Sequence, residues 1–247
     1  MLRVSVKYSI IIPTLNEEKL LPKLLNQLTP PLLKKQYDYE IIVSDGGSSD
    51  STTTIALENS DKLVVHEKPE KQNISMGRNA GAKHAEGEWL IFLNGDVLIS
   101  DVEHFFKMIT DISSSGVYKG ITFSVMIEPE NEKLKDILFL NFYNYYFHFL
   151  NIIGVGMGRG ECLILPRDLF WRLNGFNEEL AAGEDFDLFK RVRRHGKIYF
   201  SHKVCLYESP RRYRKYGHFH IFFKWLLNSI FVLIAKKSLS KEWEEVR

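Results

Sequence analysis

Four short polar segments hold the side chains best suited to chemistry: Pro13-Thr14-Leu15-Asn16-Glu17, Asp45-Gly46-Gly47, Asn94-Gly95-Asp96 and Gly183-Glu184-Asp185. Arg78 falls between the second and third, and a basic run, Ser209-Pro210-Arg211-Arg212-Tyr213-Arg214-Lys215, comes late in the chain. Carboxylates at such corners can accept hydrogen bonds from the imide of a base or from ribose hydroxyls, and guanidinium forks match the oxygens of a phosphate. Taken singly, each segment also has a plainer reading. Asn16 and Glu17 can cap a helix, Asp45 can stabilise its own turn, and Asn94-Gly95-Asp96 can simply end a strand. Arg78 can be a surface helix arginine, and Glu184-Asp185 can complement a helix dipole. Arg211 and Arg212 can be a solvated loop or a contact with anionic lipid.

What favours a common site is where these segments fall. Tyr8 to Ile12, Glu40 to Ser44, Lys62 to His66 and Glu88 to Leu93 are short apolar runs rich in β-branched and aromatic residues, separated by segments of helical periodicity. That alternation predicts parallel βαβ units with strands buried on both faces. In open α/β sheets ligands bind beyond the carboxyl ends of the strands, where three of the four polar corners lie.

The intervening segments agree with this frame. Leu20, Leu21, Leu24, Leu25 and Leu28 recur at helical spacing, with Glu17 and Glu18 at the expected positive end and Pro22 confined to the first turn. Asp45-Gly46-Gly47-Ser48-Ser49-Asp50 reads as a tight turn followed by side chains able to cap a helix. Downstream the pattern predicts a strand from Tyr118 to Ile127, an aromatic-rich helix from about Leu134 to Asn151 and a Gly-rich loop from Gly154 to Gly160. A strand from Glu161 to Leu165 and a helix opening at Pro166 complete it.

In the segments SIIIPTLNEE, IIVSDGGSSDSTT, GRNAGAKHAEGEWLIFLNGD and GFNEELAAGEDFDLFKRVRRHG the chain resembles the inverting family 2 glycosyltransferases of GT-A fold, over most of residues 8 to 200. The resemblance implies an α/β, Rossmann-like, mostly parallel sheet flanked by helices. It assigns Pro13, Thr14, Asn16, Glu17 and Asp45 to the base and ribose of a nucleotide-sugar donor. Asp96 is then the ligand of a divalent cation, Mn2+ or Mg2+, that bridges the diphosphate, with Asn94 in place of the usual first acid of an Asp-any-Asp triplet. Arg78, in the helical segment Gln72 to Glu86, matches the arginine beside this site, where it would neutralise phosphate or fix Asp96 or Asp45. Asp185, paired with Glu184, stands at the position of the general base. A third metal ligand is not obvious: His202 and Glu208 are the candidates, and Ser209 falls at the usual place of that ligand. Arg211 and Arg212 are expected to clamp the diphosphate.

Bulk properties narrow the alternatives. A chain of 247 residues fits one large domain with an appendage, read as a catalytic domain over residues 1–215 and a helical extension over 216–247. A formal net charge of +2 shows no bias toward polyanions, so nucleic acid is not an expected partner. Cys162 and Cys205 form no metal motif or disulfide framework, which favours a reducing, cytoplasmic setting. The N-terminal apolar run stops at Pro13 without a cleavage site and reads as the first strand. Phe219 to Ala235 is apolar but short for a span and contains Lys224; with its basic flanks it reads as a helix at the inner membrane surface, against the commoner packing or dimer helix. The aromatic run from Phe139 to Phe149 can form an acceptor platform, since sugar rings and polyprenyl chains both pack on aromatics, but its commoner reading is core. The expected acceptor is a carbohydrate or lipid-linked group. Two other functions remain: a nucleotidyltransferase, disfavoured by the lack of a Gly-rich basic loop after the first strand, and a non-catalytic nucleotide-sugar-binding protein, suggested by Asn94.

Overall fold

A computed structural model of the chain describes residues 6–67, 71–180 and 182–225. Its centre is an eight-stranded mixed sheet: β1 (Tyr8–Thr14), β2 (Tyr39–Asp45), β3 (Lys62–Val65), β4 (Trp89–Leu93), β5 (Leu98–Ile99), β6 (Tyr118–Ile127), β7 (Cys162–Pro166) and β8 (Lys197–Glu208), in spatial order β3-β2-β1-β4-β7-β6-β8-β5. The first half is parallel throughout, as the βαβ pattern predicts. Beyond β4 it becomes mixed: β7 runs antiparallel to β4 and β6, β8 is parallel to β6, and β5 is antiparallel to β8.

The strands alternate between two cores because side chains of a strand point to opposite faces. Ile10, Ile12, Ile41, Val43, Ile91 and Leu93 pack on one side against α1 (Leu21–Leu28), α2 (Pro31–Tyr37), α3 (Thr52–Asn59) and α5 (Val102–Ser114). Ile11, Ile42, Leu90, Phe92, Leu163 and Leu165 pack on the other against α4 (Ile74–Lys83), α7 (Arg167–Arg172) and α8 (Glu184–Arg193). Pro22 lies in the first turn of α1, where its missing N–H costs nothing. Glu17 and Glu18 fall before the helix, in a turn closed by hydrogen bonds from the Leu20 and Leu21 N–H groups to the Glu17 carbonyl. They therefore do not complement the α1 dipole as the periodicity suggested.

The helix over the far end of the sheet, α6 (Leu134–Ile152), is bounded nearly as its sequence predicts, but its aromatics do not form one core. Tyr143 and Phe147 are buried, whereas Phe142, Tyr145, Tyr146 and Phe149 are exposed. Residues 218–225 are helical and lie on α6: Ile221 packs with Ile127, Leu140 and Tyr213, and Phe222 and Trp225 pack beside Tyr143 and Phe147. Most of the apolar stretch Phe219 to Ala235 lies outside the described residues, so its expected membrane or dimer contact does too. Among the described residues no helix is long and apolar enough to cross a membrane. Cys162 and Cys205 are both free thiols.

Asp136 ties this region together. Its buried carboxylate accepts from the Lys133 N–H at 2.8 Å, from Arg214 Nη1 and Nη2 at 2.8 and 2.6 Å, and pairs with His218 Nε2 at 2.7 Å. Burial by itself would raise the carboxyl, but these partners outweigh it and bring the pKa from 3.8 to about 2. A lowered folded-state pKa gives stability that is complete above the unfolded value and is lost as pH falls toward about 2. Asp136→Asn is therefore expected to cost about 2 kcal/mol near neutral pH. The difference from the parent should shrink below about pH 4, measured by urea unfolding at a series of pH values.

Candidate active site

The parallel strands deliver three corners to one edge. Thr14 and Asp45 are register partners at the ends of β1 and β2, and β4 ends beside β1 through the pair Ile11 and Phe92. A methyl placed on Gly95 would lie 3.1 Å from Thr14 Cγ2, so the Asn94-Gly95-Asp96 turn rests directly on the first corner. The cleft above them holds about 470 Å³, within the usual range for a small-molecule site.

The cleft wall brings together Pro13, Thr14, Glu17, Arg78, Asn94, Asp96, Glu184, Asp185, Arg211 and Arg212 from widely separated parts of the sequence. Asn16 and Asp45 stand behind this wall. Asp45 is fully buried, and its carboxylate accepts from the Gly47 and Ser48 N–H groups at 3.0 and 2.7 Å and from the Thr14 and Ser48 hydroxyls at 3.0 and 2.5 Å. Asn16, at a left-handed φ of 50°, clasps the same loop: its N–H donates to Ser48 Oγ and its Oδ1 accepts from the Ser49 N–H, each at 2.7 Å. These two residues build the turn, and the face they leave to the cleft is that of Pro13, Thr14 and Gly46.

At the middle corner, Asp96 is 31% exposed and its Oδ2 accepts from Arg211 Nη2 at 3.1 Å. The same nitrogen lies 3.4 Å from Glu17 Oε1. Arg211 belongs to the short helix α9 (Arg211–Tyr216), so the residues after the last strand fold back across the end of β1 to close one side of the site.

Arg78 lines the cleft but fixes neither of the carboxylates its sequence position suggested, and it is no surface arginine. It is fully buried, and it contacts neither Asp96 nor Asp45. Its Nη1 donates to Glu184 Oε1 at 2.8 Å, and Nη2 donates to Asn94 Oδ1 at 2.9 Å and to the Gly160 carbonyl at 2.6 Å. The guanidinium lies 5.1 Å from the centre of the Phe176 ring. Asn94 thus spends its oxygen on Arg78 and keeps its amino group for the cleft, which explains how an amide serves at a corner where a second acid would also pair with this arginine. Glu184 is consumed in the same way. Asp185, the next residue, lines the cleft at the start of α8, against the Gly160-Glu161 backbone; a methyl on Gly160 would sit 3.2 Å from its Oδ2. Burial, then the neighbouring Glu184 and Glu161 carboxylates, raise the Asp185 carboxyl well above the ordinary carboxylate range, only partly offset by Arg78.

Sequence reasoning missed a second charged group on the opposite wall. Arg159, 2% exposed, pairs with Glu161 at 3.2 Å and approaches Glu208 at 3.7 Å. Burial and the neighbouring Glu161 push the Glu208 carboxyl up to about 8 despite Arg159 and a 2.5 Å hydrogen bond from the Tyr213 hydroxyl. The available signal was Arg159-Gly160-Glu161 itself, two opposite charges at the mouth of a buried strand, where a charge needs a partner. Of the two metal-ligand candidates, Glu208 lines the cleft, as does Ser209 at the usual place of that ligand. His202 does not: its ring pairs with Ser124 at 2.8 Å and His148 at 2.9 Å, and stacks on Tyr145 outside the cleft.

Among the described residues no three His, Cys, Asp or Glu side chains converge as a closed metal cage. Asp96, with one oxygen held by Arg211, offers a single carboxylate on the cleft side. That donor set fits a hard divalent cation only when phosphate oxygens and water complete the shell.

A Rossmann-like sheet whose strand-end corners open on one polar cleft, with a buried acid at the head of a later helix, defines a GT-A domain. The chain belongs to glycosyl transferase family 2, whose sequence model it matches over residues 9–173. An uncharacterized glycosyltransferase of Rickettsia typhi is 25% identical over 209 residues, covering 80% of this chain and 62% of that one. A dolichyl-phosphate beta-glucosyltransferase of Mus musculus is 29% identical over 155 residues, covering 58% of this chain and 48% of that protein. The chain thus spans less than two thirds of these relatives. In fold it is similar to a mannosyltransferase from Pyrobaculum calidifontis in complex with GDP-Man and Mn2+, at a TM-score of 0.70, 18% identity, 95% of this chain and 65% of that one. TarS of S. aureus, residues 1–349, gives 0.60 at 19% identity, covering 95% of this chain and 67% of that one.

Proposed function

We propose that the chain is an inverting glycosyltransferase that moves a sugar from a UDP- or GDP-type donor to a hydroxyl or lipid-phosphate acceptor, with a divalent cation at Asp96. The observation that carries this reading is one cleft lined by Asp96, Arg211 and Asp185, with Arg78 linking Asn94 beside Asp96 to Glu184 beside Asp185. Pro13, Thr14 and Glu17 receive the base and ribose, and Arg211 and Arg212 receive phosphate oxygens. Asn16 and Asp45 hold the first corner in shape. A bound Mn2+ or Mg2+ would neutralise the departing nucleoside diphosphate. Asp185 takes the proton of the acceptor hydroxyl as it attacks, and a single displacement inverts the anomeric centre. The similar mannosyltransferase bound to GDP-Man and Mn2+, and the similar enzyme named for dolichyl phosphate, support this donor and acceptor chemistry.

The direct test is a thermal-shift panel of nucleoside diphosphates and their sugars, with and without Mn2+, followed by identification of the anomer formed. A ligand at a hundred times its Kd should stabilise the fold by about 2.7 kcal/mol. Release of pyrophosphate, not a nucleoside diphosphate, would instead mark a nucleotidyltransferase. Asp96→Asn should abolish the Mn2+-dependent part of the shift and weaken donor binding at least about tenfold, roughly one charge-assisted contact. It should leave the stability of the free protein within about 1 kcal/mol, because the Asp96–Arg211 pair is partly solvated. A donor shift that is equal in both proteins would remove Asp96 from the metal role.

A further inference from the structure

We propose that the outward face of α6, continued by residues 218–225, is a docking surface for the interface of an anionic lipid bilayer. This stands on the fold and is independent of the reaction proposed above. α6 is apolar on both faces. The inner one is spent: Leu140, Tyr143 and Phe147 are buried, and Phe147 lines the cleft. The outer one carries Leu134, Leu138, Phe142, Tyr145, Phe149 and Ile152, at steps of three and four residues, which places them on one stripe. All six are exposed, Leu138 at 65% and Phe149 at 55%. The stripe continues into the next element. The Phe142 ring lies 6.5 Å from that of Phe222, which lies 5.4 Å from that of Phe223, and Phe219, 83% exposed, stands one turn before Phe223. A helix of 19 residues carries this surface over roughly 28 Å. A continuous apolar surface of that length marks a partner.

Charge decides which partner. Lys133 to Gly160 and Ser209 to Trp225 hold a single acid, Asp136, and it is buried against Arg214 and His218. The same segments carry Lys133 and Lys135 at the start of the stripe, and Lys215 and Lys224 on either side of Phe219 and Phe223 in the chain. The acids nearest in sequence, Glu128, Glu130 and Glu132, all fall in the loop before α6, off one end of the stripe. A second copy docked face to face would set the cations of these segments against like cations. Anionic headgroups pair with them instead, while the acyl boundary takes the Leu and Phe side chains and the Tyr145 and Tyr146 hydroxyls reach back to the headgroups. Phe147 and Trp225, from the same two segments, line the cleft, so docking holds the cleft beside the bilayer surface.

The test uses the full chain with vesicles of mixed phosphatidylglycerol and phosphatidylcholine, or of phosphatidylcholine alone, read by co-sedimentation. Binding to the mixed vesicles at least about tenfold tighter than to phosphatidylcholine is expected. The triple variant Leu138→Ser/Phe149→Ser/Phe219→Ser should weaken that binding about a hundredfold. Its melting temperature without vesicles should match the parent's, because none of the three side chains belongs to a hydrophobic core. In a separate variant, Phe149→Trp, brominated lipid should quench emission beyond the parent's level, a readout that does not depend on the triple variant. Absence of binding by the parent, or binding that the triple variant keeps, would overturn the proposal. So would a parent that light scattering shows to be a dimer and a triple variant that is a monomer, since the face would then belong to a second copy. None of these outcomes touches the glycosyltransferase reading, which the donor thermal shifts decide.

Discussion

Asp185→Asn is expected to lower kcat by about 10²- to 10⁴-fold, the usual contribution of a positioned general base, while donor affinity by thermal shift stays unchanged. The amide fills the same space at the head of α8 and removes only the ability to take a proton. The environment also sets the pH response. Burial and the adjacent Glu184 and Glu161 hold the Asp185 carboxyl above its ordinary range, so part of the enzyme carries it protonated and inactive on the acid side. The parent's kcat/KM should therefore rise with pH through an apparent pKa above that of a free carboxylate, and the variant should lose that limb. A raised pKa also makes the ionised form a stronger base at the pH where the enzyme works. If the acceptor were an ionised phosphate, no proton would need removing. A rate loss under about tenfold with an unchanged pH profile would then be seen, and it would count against Asp185 as the base.

The parts of this architecture that were legible in the sequence are those governed by local pattern. β6, Tyr118–Ile127, has the bounds its apolar run predicts, and β1, β2 and β4 agree within two residues at each end, because runs of Ile, Val and Leu buried on two faces admit few alternatives. Chain order, however, says little about direction in the sheet: the antiparallel entry of β7 follows from the path through α6 and the glycine loop. At Gly156, φ is 83° and an added Cβ would meet Arg193 and the Phe189 carbonyl at 2.6 Å. That loop has no hydrophobic period to read. α5 carries a readable helical signal, an Asp101 cap followed by Phe105, Met108, Ile109 and Ile112, whereas β5 carries none, because two residues make no period.

In the site, residue types pointed to the right corners, but partners could not be read from them. A carboxylate at a strand end looks the same in sequence whether it opens on the cleft, like Asp96, or is consumed by three donors of its own loop and the Thr14 hydroxyl, like Asp45. The difference lies in which backbone N–H groups a turn aims inward, and in glycine turns that depends on φ angles the sequence does not specify. Arg159 and Glu208 stand 49 residues apart in the chain and meet only through the pairing of β6 with β7 and β8.

Arg78→Met should destabilise the fold by about 3–5 kcal/mol, the cost of leaving one buried charge without its partner. The methionine side chain fills much of the arginine stem's volume, so the loss isolates the guanidinium. Glu184 would remain 6% exposed with no cation at 2.8 Å, the Gly160 carbonyl would lose its 2.6 Å donor, and Asn94 would lose the contact that fixes its oxygen. Adding Glu184→Gln should recover a substantial part of the stability, because a neutral amide in that pocket no longer needs a positive partner. The double-mutant cycle, read from urea midpoints, measures the pair. Activity should not return with stability. Asn94 at the donor corner and the first turn of α8, which carries Asp185, are held at their spacing by this one guanidinium, and the double variant loses the link between them. An arrangement about 1 Å looser at a reacting centre is enough to cost on the order of 10²-fold in rate. A double variant with restored stability and full kcat would show that Arg78 only balances charge and does not set that spacing.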